Sequence, residues 1–373
     1  MQYRTFGRAK DRISVLGFGC MRFPTLEREG RRVIDEAEAV RMLRLAIDGG
    51  VNYIDTAYPY HDGQSEPLVG KTLRDGYRDK VFLATKSPVW MIQSAEDFDR
   101  ILAEQLERLQ TDRIDYYLLH ALDRGAFENK VLRFDLIGKI KRAKEAGLVR
   151  RIGFSFHDEY EVFQNIVDAC DEWDFCQIQL NYIDTEYQAG LRGMRYAADR
   201  GLGVIIMEPL LGGRLADPPR QVKKALPKDR APVEWALDYL WNLPETGPVL
   251  SGMSTMQQLT DNLAYAEKAR PGMLRRSEVD MLAEARRIFR TMALVPCTKC
   301  GYCMPCPVGI NIPKVYEAYN QTACQPMEQA REIYDALAIK ADACVLCGQC
   351  ERACPQHIAP GDSMAAAAKA FGG

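Results

Sequence analysis

The chain has 373 residues, 47% of them hydrophobic and 27% charged, with a formal net charge of −2. Those are ordinary values for a soluble globular protein, with room for one large domain and one small one, and they exclude a global field that would gather nucleic acid or an anionic membrane. No apolar run approaches the ~20 residues that span a bilayer, and the polar opening MQYRTFGRAKDRIS lacks the apolar core of a secretory signal, so a cytoplasmic setting is expected.

Residues 1–13 precede the first strong strand pattern and are expected to form a short hairpin. From residue 14 to about 268, short β-rich runs alternate with longer helical ones. The strand candidates are SVLGFG (14–19), YIDTA (53–57), VFLATK (81–86), IDYYLLH (114–120), RIGFSF (151–156), FCQIQL (175–180), GVIIME (203–208) and PVLSGM (248–253). Amphipathic stretches lie between them, among them 37–50, 95–110 and 135–148. Strands separated by helix-length segments pair in parallel, because a parallel pair needs a crossover. Eight such units over ~250 residues suit a TIM barrel. A doubly wound open sheet is the competitor, but it wants a G-x-G-x-x-G turn after an early strand, and LGFGCMRFP is not one. The expected fold class is therefore α/β: a (β/α)8 TIM barrel over 1–275, then a small, mainly helical, cysteine-rich domain over 276–373. A helix over 277–292, capped by Ser277 and Asp280, is expected to join them, and SMAAAAKAFGG ends the chain as a weak helix.

Active sites of such barrels lie at the C-terminal ends of the strands. Asp55 follows the second strand there, Lys86 ends the third and His120 the fourth, with Tyr60 five residues after Asp55. Any one of these has a structural reading as a helix cap, a loop charge or a packed ring. Four ionisable groups at one rim read as a catalytic constellation. The segments GVNYIDTAYPY, FLATKSP and IDYYLLHALD resemble the Asp–Tyr–Lys–His tetrad of the aldo-keto reductases, and the resemblance covers about residues 3–268. It implies a tetrad of Asp55, Tyr60, Lys86 and His120 acting on a carbonyl, with a nicotinamide cofactor (NADP or NAD) as hydride donor. Tyrosine, with a usual pKa near ~10, works at neutral pH only if its phenolate is favoured, which a lysine charge does. His120 would orient the substrate oxygen.

The same resemblance implies carboxamide contacts from Ser155, His157 and Gln177, His157 standing where many members carry Asn. Met207 takes the place of an aromatic ring against the nicotinamide. Gly212 and Gly213, in MEPLLGGRL, match a loop over the pyrophosphate. Gly252, Ser254, Gln258 and Asn262 match the adenosine-phosphate segment. Gln258 stands where NADP-preferring members often carry Arg, and glutamine cannot neutralise a 2′-phosphate. Arg22, Tyr58 and Trp90 are candidates to line the substrate pocket.

Nine of the 12 cysteines fall between Cys297 and Cys354. Without an export signal, tight spacings read as metal rather than disulfides. The first run is Cys297-x2-Cys300-x2-Cys303-x2-Cys306-Pro and the second Cys344-x2-Cys347-x2-Cys350-x3-Cys354-Pro. The second is similar to the bacterial ferredoxin run for a [4Fe–4S] cluster, and the first is one residue shorter before its last cysteine. Structural zinc is the competing reading, but zinc prefers separated C-x2-C pairs. The ferredoxin likeness implies two [4Fe–4S] clusters whose fourth ligands cross over. One would use Cys297, Cys300, Cys303 and Cys354; the other Cys344, Cys347, Cys350 and Cys306. Cys20, Cys170, Cys176 and Cys324 are expected to be core thiols.

The leading expectation is an NAD(P)H-dependent reductase of a small-molecule aldehyde or ketone, its clusters relaying electrons or holding the fold. The alternative is an electron-transfer or redox-sensing subunit whose barrel only binds nucleotide or a partner. An electron-transfer protein is then the expected macromolecular partner, with no role for nucleic acid or membrane.

Overall fold

The structure, a computed structural model, describes residues 1–28, 30–292, 294–323 and 327–372. The chain divides into two compact units, the first formed by 1–180, 184–209 and 237–273. In it, β1 (Tyr3–Phe6) and β2 (Asp11–Ser14) make an antiparallel hairpin. The first barrel strand follows as β3 (Leu16–Gly19), and a second hairpin, β4 (Thr25–Arg28) with β5 (Arg31–Ile34), leaves its C-terminal end. The other barrel strands are β6 (Tyr53–Asp55), β7 (Phe82–Ser87), β8 (Ile114–Leu122), β9 (Val149–Phe156), β10 (Phe175–Gln179), β11 (Gly203–Met207) and β12 (Thr246–Ser251). They close in chain order, with β12 pairing β3 in parallel. All eight expected strands are present, and the open-sheet competitor is excluded by that closure.

The barrel forms because its strands are buried on both sides, as parallel strands under helices must be. Six of the nine residues of β8 are large and apolar, and the strand is buried along almost its whole length. The N-terminal hairpin plugs the barrel floor with Phe6, whose ring lies 5.9 Å from Tyr116 and 6.5 Å from Phe175. Gly203 and Gly247 make room for it: a Cβ on either would meet the Phe6 ring. Asp11 of the same hairpin accepts hydrogen bonds from Tyr116 and from Arg150 and Arg151, so the floor is closed by charge as well as by packing.

Helices Glu36–Asp48, Ala95–Leu109 and Leu136–Glu145 lie where the amphipathic stretches place them. The hairpin of β4 and β5 is an addition to the expected elements; only Ile34 of its strand residues is buried, so the strands carry no burial pattern to read.

The second unit is formed by 274–373 together with 181–183 and 210–236, segments that lie between barrel strands in the chain. Its first long helix runs Arg276–Arg290, and its start differs from the expected cap. The Glu278 carboxylate accepts from the Arg275 backbone N–H at 2.7 Å, so the helix begins two residues earlier than Ser277 would place it. Helices Ile312–Gln321, Met327–Asp335 and Pro360–Phe371 build a small core of Val295, Ile310, Val315, Tyr316, Ala367 and Phe371 among others. Tyr334 stacks on Phe371 at 4.1 Å, and Asn320 ties down the entry to the cysteine run by bonding the backbone of Val295 on both sides. No helix among the described residues is long and apolar enough to cross a membrane.

Candidate active site and metal centre

Parallel closure brings the ends of β6, β7 and β8 side by side, and with them the predicted tetrad. Register sets Asp55 beside Ala84, and Lys86 beside Leu118. Lys86 is fully buried, and its ammonium donates to Asp55 Oδ1 at 2.7 Å, to the Thr56 carbonyl at 2.8 Å and to the Tyr60 hydroxyl at 3.2 Å. A buried ammonium is tolerable only when its donors are satisfied, and here all three are. Tyr60 faces His120 edge-on with ring centroids 6.1 Å apart, and Trp90 lies 5.0 Å from His120 on the rim. Trp90 thus packs beside a tetrad ring, whereas the Tyr58 hydroxyl is engaged by Glu104 at 2.8 Å.

Burial raises the Asp55 carboxyl above its ordinary range, and the Lys86 charge and hydrogen bond oppose that rise. His120 is held well below its usual pKa of 6.5, first by burial, then by the charges of Lys86 and His157. Its imidazole is therefore neutral at physiological pH and carries one N–H to donate. Asp55 Oδ2 and His120 Nδ1 are buried without a partner among the described residues, two polar atoms left facing the group.

Linkage gives the His120 shift a measurable sign. The unfolded chain binds this proton more tightly than the folded one, so stability falls as pH drops below the unfolded value near ~6.5. Replacing His120→Gln removes that contribution. The stability of the variant relative to the parent, read from denaturant midpoints, should improve between about pH 7.5 and 5; parallel pH profiles would show that the imidazole does not titrate as argued.

Behind Lys86 lies a polar network that the sequence did not disclose. Glu66 is fully buried and accepts from Thr85 and from Gln105, each at 2.6 Å, while Gln105 also donates to the Lys86 carbonyl at 3.1 Å. Tyr117 donates to Gln105 Oε1 at 2.7 Å. Burial raises the Glu66 carboxyl, against the pull of its donors Thr85 and Gln105 and the charge of Arg108. A signal existed: Gln105 interrupts the buried stripe Phe98–Ile101–Leu102–Leu109 of its helix, a polar residue at a core position.

The other predicted contacts of the first unit distribute around the same rim. Ser155 accepts the Ala121 N–H at 2.7 Å and keeps its own hydroxyl hydrogen to donate. Gln177 donates to the Met207 sulfur at 3.6 Å, and its Oε1 is buried without a partner among the described residues. The His157 N–H is tied to the Leu122 carbonyl. After β12, Ser254 N–H donates to Gln258 Oε1 and the Ser254 hydroxyl donates to the Arg22 carbonyl, each bond holding the turn before helix Met256–Ala266. The Arg22 side chain packs across Gly252, where a Cβ would clash with it. Asn262 is buried and donates to the Ser251 hydroxyl at 3.0 Å.

Gly212 and Gly213 belong to the second unit, both at positive φ (+63° and +93°). A Cβ on Gly212 would fall inside the Thr298 carbonyl, so the 210–213 turn lies directly on the first cysteine loop. In that loop and in its counterpart the backbone repeats: Lys299 and Leu346 are left-handed, as are Gly301 and Gly348 after the second cysteine of each run. The two runs together line two small cavities. The first is lined by Cys297, Cys300, Cys303, Cys350 and Cys354, the second by Cys303, Cys306, Cys344, Cys347 and Cys350. Cys354 borders only the first cavity and Cys306 only the second. No three candidate ligands among the described residues converge as on a single ion. Thiols that hold different irons of one cube stand further apart. Cys20, Cys170 and Cys176 are buried free thiols, while Cys324 lies outside the described residues.

Residues 15–271 match the model of the aldo/keto reductase family. The chain belongs to that family. Residues 293–358 of this aldo/keto reductase match a 4Fe-4S dicluster domain. Over 308 residues it is 25% identical to the uncharacterized oxidoreductase YqkF of Bacillus subtilis, covering 72% of this chain and 92% of that one. It is 27% identical over 292 residues to L-galactose dehydrogenase of Arabidopsis thaliana, covering 71% of this chain and 88% of that enzyme. Among solved structures, the holo form of an aldo-keto reductase from Bacillus halodurans superposes with a TM-score of 0.64 at 25% identity, over 76% of this chain and 96% of that one. A Klebsiella pneumoniae member in complex with NADPH shares the fold, with a TM-score of 0.62 at 22% identity over 77% and 95% of the two chains.

Proposed function

We propose that this aldo/keto reductase uses a nicotinamide dinucleotide to interconvert a small aldehyde or ketone and its alcohol. The observation that carries the reading is the fully buried Lys86, saturated by Asp55, the Thr56 carbonyl and Tyr60. When bound, the dinucleotide supplies the hydride. Neutral His120 donates a hydrogen bond to the substrate oxygen and orients it beside Tyr60. The Tyr60 hydroxyl gives that oxygen its proton. Lys86 stabilises the charge left on the phenolic oxygen, and Asp55 holds Lys86 and balances its charge.

Ser155 and the unpartnered Gln177 Oε1 are a donor and an acceptor that suit a carboxamide, with Met207 offering a polarizable contact beside them. The turn of Gly252, Ser254 and Gln258, with Asn262 behind it, would take the adenosine end. The NADPH of the Klebsiella member supports NADP. The Gln258 amide, engaged by Ser254, leaves NAD open. The L-galactose dehydrogenase likeness supports the oxidative direction as well.

The cysteine unit holds two [4Fe–4S] clusters, one on Cys297, Cys300, Cys303 and Cys354, the other on Cys344, Cys347, Cys350 and Cys306. All-thiol donor sets around two cavities fit such cubes. The deciding experiment is anaerobic purification, iron and sulfide analysis, and a steady-state screen of aldehydes and ketones with NADH and with NADPH. Substrate-dependent oxidation of either nucleotide supports the reading. Nucleotide binding without turnover on any carbonyl, joined to bleaching of the cluster absorbance, would instead favour an electron-transfer subunit.

A further inference from the structure

Thr298 stands between Cys297 and Cys300, lines the first cavity and is only 2% exposed. Its hydroxyl is buried without a partner among the described residues. An orphaned hydroxyl in a protein interior costs free energy, so its position calls for an acceptor that occupies the cavity. The backbone around it is fixed from both sides. Gly212 packs on the Thr298 carbonyl, and the next residue, left-handed Lys299, donates its N–H to the Cys297 sulfur at 3.4 Å. The loop thus directs one backbone donor to a ligand sulfur already and leaves one side-chain donor unspent beside it. The corresponding position of the second run is Val345, which has the same shape without the hydroxyl and is 63% exposed.

We infer that the Thr298 hydroxyl donates a hydrogen bond to a sulfur of the cluster held by Cys297, Cys300, Cys303 and Cys354, and so raises that cluster's reduction potential. The inference rests on the iron–sulfur reading of the second unit. A hydrogen bond to cluster sulfur stabilises the extra negative charge of the reduced state more than it stabilises the oxidised state, which moves the potential upward. Thr298 is a positioning and tuning residue; it ligates no iron.

The test uses the anaerobically purified full chain, without nucleotide or substrate, in the parent, Thr298→Val and Thr298→Ser forms. Iron and sulfide are measured, and both clusters are followed by EPR through a redox titration. The expected result is full iron in all three, one midpoint shifted downward in Thr298→Val with the other unmoved, and both at parental values in Thr298→Ser. If the valine form alone loses one cluster while the serine form keeps it at its parental midpoint, the hydroxyl acts on the cluster and the inference stands. Unchanged midpoints in a fully loaded valine form overturn it, as does equal loss of iron from both variants, which would make the residue's shape decisive. Iron-free parent protein would instead refute the cluster reading itself, independently of Thr298.

Discussion

Changing Tyr60→Phe is expected to lower the turnover of carbonyl reduction by about 10²–10⁴-fold while nucleotide binding stays at its parental strength. The substitution removes one oxygen and little else. The ring keeps its place 4.8 Å from the Lys86 ammonium and edge-on to His120, and Lys86 keeps its bonds to Asp55 and to the Thr56 carbonyl. What disappears is the proton source beside the substrate oxygen and the atom on which Lys86 stabilises charge. Steady-state kcat together with nucleotide titration monitors the two effects separately. A variant that retains near-parental turnover would remove Tyr60 from the chemistry. Lys86→Met is the less informative choice. It strands the buried Asp55 carboxylate, a loss of about 3–5 kcal/mol in stability that would obscure the kinetic effect.

Changing Cys306→Ser and Cys354→Ser is expected to cost each variant roughly half of its iron, and a different half. Cys354 borders only the cavity of Cys297 and Cys300, although it ends the other run in the chain; Cys306 borders only the cavity of Cys344 and Cys347. Serine at either position leaves three thiols and an exposed cube corner. Iron analysis gives the amount lost, and EPR of the reduced proteins shows which signal survives. Complementary signals in the two variants support the crossing; the same surviving signal in both would place each fourth ligand with its own run. Both losses should loosen the second unit, since Cys297, Cys303, Cys306, Cys344, Cys350 and Cys354 pack against its small apolar core.

The barrel was legible because each of its strands announces itself locally. FLATKS and IDYYLLHAL are short strand-favouring runs that are buried almost throughout, with Lys86 and His120 towards their ends, and such runs form buried parallel strands. Asp55, Lys86 and His120 were legible for the same reason, as polar residues breaking those runs at one rim. Glu66 is not legible in this way because it lies in the short helix Ser65–Thr72, whose composition is mixed. Only packing against Thr85 and Gln105 makes it a buried carboxylate.

Position along the chain misleads most for residues 210–236. Their likeness to a nucleotide loop is written in MEPLLGGRL, yet they cluster with 274–373. Arg230 pairs with Glu278 and Arg214 lies over Phe289, contacts between segments remote in the chain. No local pattern encodes such pairings.

The sequence by itself determined the eight-strand order, the chemical types at the rim and the two cysteine runs, because spacing and local burial preference suffice for each. Only the tertiary structure decided that Lys86 has three partners, that His120 is neutral, and that the Thr298 hydroxyl is left without a partner among the described residues. Those properties depend on desolvation and on distances between residues remote in the chain, and a chain acquires both only when it closes on itself.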